Sequence, residues 1–165
     1  MLRAALLLCA IAASAGGVSL AQADVHIKPA DLNGTRALQA STANAAIRNY
    51  IQAWEGFRSA FEQNRVDLLD RDFIGTAREK LAQTIQQQAQ LGIHTSYQDR
   101  VHDIQIVFYS PEGLSLELID DVQYDMQLMD HDKAAVTQHV KVRYVVVLSP
   151  TETKWRVRVF QAVPE

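Results

Sequence analysis

Leu114–Met129 reads LSLELIDDVQYDMQLM, and Ala134–Leu148 reads AAVTQHVKVRYVVVL. In the first stretch the even positions are Leu114, Leu116, Leu118, Asp120, Val122, Tyr124, Met126 and Leu128, and the odd positions are mostly polar. In the second, Val136, Gln138, Val140, Val142, Tyr144, Val146 and Leu148 alternate with Thr137, His139, Lys141 and Arg143. A period of two is the mark of a strand with one face in the core. The tetrapeptide Asp130-His131-Asp132-Lys133 between the stretches is short and turn-rich, so the two strands form a hairpin. Apolar face must meet apolar face, because a slip of one residue would expose every inward side chain. With Asp130 opposite Ala134, Asp120 lies across from Tyr144, Asp121 from Arg143 and Asp125 from His139. Opposite charges then face each other on the outer surface.

The same pattern extends outward to both sides. Val101–Tyr109 and Lys154–Val163 read as two further strands, set off by Pro111-Glu112-Gly113 and Ser149-Pro150-Thr151-Glu152. Short turns between successive strands predict a four-stranded antiparallel meander. Pairing Ser110 with Leu114 turns Ile104, Ile106 and Phe108 inward, with His102 beside them as the diagonal neighbour of Asp120. The last strand is expected to turn Trp155, Val157, Val159 and Val163 inward and Lys154, Arg156 and Arg158 outward. One polar cluster is therefore left on the apolar face: His102, Asp120 and Tyr144, with Tyr124 and Gln138 further along.

Before about Ser96 the period is helical. Ile47, Tyr50, Ile51, Trp54, Phe57 and Phe61 recur at steps of three and four, behind Ser41 as expected N-cap and ahead of Asn64 as stop. A helical turn around Val66 to Asp72 follows. A second helix carries Ala77, Leu81, Ile85, Gln88 and Leu91 on one stripe, with Gly92 suited to a left-handed cap. Gln86-Gln87-Gln88 reads as a solvated helix face. Helices first and strands after give an α+β domain.

Met1-Leu2-Arg3, the apolar run Ala4 to Ala15 and the small-x-small site Ala21-Gln22-Ala23 read as a secretory signal peptide cut after Ala23. Residues 1–23 are the signal peptide, 24–40 an extended leader ending near Asn33-Gly34, and 41–165 the folded domain. The 165-residue chain is 48% hydrophobic with a formal net charge of −3. The cut removes Arg3 and Cys9, the one cysteine, leaving 15 basic and 19 acidic residues, a net of −4. Disulfide and thiolate chemistry are thereby excluded. No dense basic face is available for nucleic acid, and nothing calls for a membrane after cleavage. The expected compartment is the periplasm or the exterior.

Tyr50-Ile51-Gln52-Ala53-Trp54 through Phe61, then Asp67-Leu68-Leu69 and the Phe73-Ile74-Gly75 break, together with the helix-then-meander order, resemble the start of NTF2-like domains of the SnoaL-like and ketosteroid-isomerase-like kind. The resemblance covers roughly Ser41 to Val163. It implies a cone in which N-terminal helices pack on a curved four-stranded sheet, with a pocket between them and dimerisation on the outer sheet face in many members. The chemistry is left open, and two functions stand side by side. One is a noncatalytic domain that binds a small apolar ligand or a protein partner, with Tyr50, Trp54, Tyr124 and Gln138 lining the pocket. The other is a small isomerase, dehydratase or cyclase with Asp120 as general base and His102 and Tyr144 in support. No catalytic motif of an enzymatic branch maps residue by residue. His131 between Asp130 and Asp132 lies in a tight turn and is read as solvated rather than as a metal ligand, and no metal or cofactor is expected.

Overall fold

The computed structural model describes residues 23–32, 36–131 and 133–163. In chain order they form β1 (Asp24–Ile27), α1 (Ala40–Gln63), a 3-10 turn (Val66–Leu69), α2 (Gly75–Gln90), β2 (Ile93–Tyr109), β3 (Leu116–Asp130), β4 (Lys133–Pro150) and β5 (Trp155–Val163). Of the predicted signal peptide only Ala23 lies among the described residues; the Asn33-Gly34 turn and Asp132 lie outside them.

The sheet runs β1-β2-β3-β4-β5, so it has five strands where the sequence pattern predicts four. The extra strand comes from the leader. Asp24 to Ile27 pair in parallel with Val101 to Ile104. All four of its residues are exposed, and a strand that buries neither face carries no alternation to detect. The other pairings are antiparallel, as expected.

Between Leu116 and Leu128 the β3–β4 register is the expected one, with Asp120 opposite Tyr144, Asp121 opposite Arg143 and Asp125 opposite His139. Beyond it a bulge at Ala135 shifts the count, and Asp130 pairs with Lys133 instead of Ala134. His131 takes a left-handed φ of 52° in the resulting tight turn.

Three further bulges reset parity. One at Arg100 lets β2 begin at Ile93, eight residues before the expected Val101, and turns Thr95 and Asp99 inward as well as His102 and Ile104. A second at Val107 exchanges Phe108, expected inside, for the buried Tyr109. The third, at Arg158, places Phe160 opposite Val146 on the inner face, and Val163 ends 36% exposed. Lys154, expected outside, bonds the buried Asp72 carboxylate. There Val157 and the Asp72–Ile74 loop exchange backbone bonds of 2.8 and 2.9 Å.

Helix α1 starts at Ala40 with Gln39, not Ser41, at the cap position. It ends where expected: Asn64 adopts the left-handed conformation, and its side-chain amide donates to Ile93 O at 2.9 Å. In α2 Ala77, Ala82 and Ile85 are buried, Leu81 packs half-buried against the core, and Leu91 is 73% exposed. Gln86 and Gln87 are solvated, whereas Gln88 is buried and donates to Phe61 O and Asn64 Oδ1. Both helices lie on the inner sheet face, where the core forms.

Candidate functional site

The parity of β3 forces Asp120 inward, and it has no exposed surface. A lone carboxylate there would be very costly, so partners are required. Two reach the same oxygen. His102 Nδ1, from the neighbouring strand, lies 2.7 Å from Asp120 Oδ2, and the Tyr50 hydroxyl of α1 donates to that oxygen at 2.7 Å. On its other side His102 places Nε2 3.8 Å from Asp99 Oδ2, and Arg58 Nη1 lies 2.9 Å from that oxygen. A continuous chain therefore runs Tyr50–Asp120–His102–Asp99–Arg58, from the centre of the core to a guanidinium with 35% of its side chain exposed.

The electrostatics follow from this order. Burial opposes charge on His102, but the bonds and charges of Asp120 and Asp99 outweigh it, lifting the imidazole to about 9. At neutral pH it is an imidazolium that donates Nδ1–H to Asp120 and turns Nε2 toward the Asp99 carboxylate at 3.8 Å. Burial first, and the Asp120 charge second, push the Tyr50 hydroxyl far above its usual range, so it remains a donor. Two carboxylates are matched by His102 and Arg58. Asp120 Oδ1, Asp99 Oδ1 and Trp54 Nε1 have no hydrogen-bond partner among the described residues.

Aromatic rings fill the space around the chain. Trp54, 2% exposed, lies with its ring 5.1 Å from His102, 5.1 Å from Phe57 and 5.5 Å from both Tyr144 and Phe160. Tyr144 stacks on Phe160 at 4.4 Å. Elsewhere, an open depression of about 340 Å³ between α1 and the 3-10 turn is lined by Glu55, Gly56, Ser59, Asp67, Leu68 and Arg71.

No family model and no curated protein sequence matches the chain. Solved structures do. The intermembrane space region of chloroplast protein ARC6 is 15% identical with a TM-score of 0.63, over 79% of this chain and all of that one. A candidate scytalone dehydratase from Novosphingobium aromaticivorans is 12% identical with a TM-score of 0.53, over 76% of this chain and 89% of that one. The chain has an NTF2-like fold. At such identities the likeness establishes architecture, and chemistry must come from the residues.

Within the NTF2-like cone, the predicted site residues divide. His102 and Asp120 meet directly, and Tyr50, Trp54, Tyr124 and Tyr144 are buried around them. Tyr144 lies across the strands from Asp120, but the hydroxyl bonded to that carboxylate belongs to Tyr50. Gln138 is exposed, opposite Met126 and away from the cluster. Sequence reasoning missed Asp99 and Arg58. Asp99 enters through the Arg100 bulge, and Arg58 lies off the apolar stripe of α1; their spacing carried no signal. Chemically the arrangement is an acid–base dyad with a phenol, sealed under Trp54. Among the described residues no helix is long and apolar enough to cross a membrane.

Proposed function

We propose that this chain is an exported, noncatalytic NTF2-like domain that recognises a protein partner on its surface. The observation that carries this reading is Trp54. Its indole is 2% exposed and packs on His102, Tyr144, Phe57 and Phe160, so aromatic side chains fill the space beside the Asp120–His102 pair. The polar chain beneath it is charge-balanced by its own members and serves to fix α1 against β2 and β3. Export is supported by the leader motif, and β1 begins at Asp24, directly after the expected cut.

The test is a cavity comparison. The unmodified protein should take up no small apolar probe such as benzene or indole, whereas Trp54→Ala, which empties a large buried volume, should bind one. Saturable binding of the probe inside the unmodified protein would overturn the reading. The Tyr50–Asp120–His102 geometry favours one other reading, a dehydratase- or isomerase-type enzyme whose aromatic cover opens. In that case Asp120→Asn abolishes turnover while the chain still folds.

A further inference from the structure

His102 is one imidazole between two buried carboxylates. Asp120 Oδ2 lies 2.7 Å from its Nδ1, and Asp99 Oδ2 lies 3.8 Å from its Nε2. From α1 the Tyr50 hydroxyl donates to Asp120, and Arg58 Nη1 lies 2.9 Å from Asp99. From β4 comes Tyr144, opposite Asp120, its phenol kept protonated by burial. Strand β1 sets the apolar Val25 opposite His102 and turns His26 to Asp103, and β5 contributes Phe160 against Trp54. With His102 protonated, two anions meet two cations.

A neutral imidazole has a single N–H and cannot serve both carboxylates. The shorter contact, to Asp120, keeps it, and Nε2 then turns a lone pair toward Asp99. One buried negative charge is left without a match, which the core does not tolerate. The two acids differ in how easily they can leave. Asp120 sits in the uninterrupted middle of β3 against β4, with two donors on Oδ2. Asp99 stands beside the unpaired Arg100, where the β2–β3 ladder is already broken. Its Oδ1 has no partner among the described residues, and its counter-ion Arg58 has 35% of its side chain exposed. A path to water therefore runs along Arg58, and a bulge is where a strand yields with least loss of backbone bonding.

We propose that Asp99 is an alkaline gate at the Arg100 bulge: when His102 gives up its proton to solvent, the Asp99 carboxylate swings out of the core with Arg58 and water reaches the His102–Asp120 pair. The gate is closed while the imidazole is charged and opens as pH rises through about 9. Helix α1 stays in place, because Asn64 and Asn49 fasten it to Ile93 and Trp155 independently of the polar chain. The device goes beyond the partner-binding reading and does not depend on it.

The experiment is amide hydrogen exchange on the purified protein between about pH 7 and about pH 10, corrected for the intrinsic pH dependence of exchange. Protection of amides 97–102 should fall by about tenfold per pH unit toward the midpoint, the slope of one released proton, and level off above it, while 117–123 in β3 stay protected. In Asp99→Asn the side-chain amide can donate to the neutral Nε2, so 97–102 should remain protected at the alkaline end. In His102→Gln, which serves Asp120 but carries no charge for Asp99, the same amides should be open already at neutral pH. Protection of 97–102 that persists to the alkaline end in the unmodified protein would overturn the gate. So would its loss in step with 117–123, which marks global unfolding, or an Asp99→Asn variant that opens as the unmodified protein does.

Discussion

Asp120 is held by two donors on one oxygen, and its stability role and its accessibility are one question. Replacing it with Asn keeps the shape but removes the charge that balances His102. Breaking a buried pair in this way costs about 3 kcal/mol, or a melting temperature lower by about 10 °C. The pH dependence has a definite sign. His102 has a folded pKa of about 9 against about 6.5 unfolded, so its contribution is fully present below pH 6.5 and is lost as pH rises through 9. Denaturant unfolding of the native protein should therefore show stability falling across that window, and the slope should flatten in Asp120→Asn. A slope that survives the substitution would assign the linkage to other groups. Asp120 was legible in the sequence because it breaks an otherwise apolar parity. Asp99 was not, because an unpaired Arg100 had shifted the parity before it could be read.

The helix and strand elements are visible in the sequence as long as their period lasts, and each strand keeps its period only between bulges. This explains which expectations held. The long middle of β3 against β4 has no interruption, so its register could be argued from charge and apolar parity. Bulges at Val107 and Arg158 exchange neighbours: Tyr109 replaces Phe108 inside, and Phe160 moves onto the inner face next to Val159. The last exchange is testable. Phe160 stacks on Tyr144 and touches Trp54, Phe57 and Phe73. Phe160→Ala should cost about 3 kcal/mol and Val159→Ala clearly less, measured by urea unfolding. The reverse order would restore the uninterrupted parity. Strand β1 was invisible for a different reason. It contributes backbone bonds and buries no side chain, and only side chains leave a pattern.

At the scale of the molecule, the NTF2-like cone is a container, and what fills it decides its use. Here α1 delivers Tyr50, Trp54, Phe57 and Phe61 into the concavity, all at most 5% exposed. The outer sheet face is tied by exposed pairs such as Arg143 with Asp121, each contributing little to stability. Helix order and sheet order were readable from the change of period, and the cone was what the NTF2-like resemblance implied. Whether its interior stayed open was not, because the same aromatic stripe suits a packed core and a lined pocket. The central claim is that the polar chain is sealed and charged rather than an accessible acid–base site. The most direct test is the 15N resonance of the His102 ring followed across pH. A midpoint near 9, unmoved by apolar ligands of steroid size, is the predicted result. A midpoint near 6.5, or one shifted by such a ligand, would contradict it.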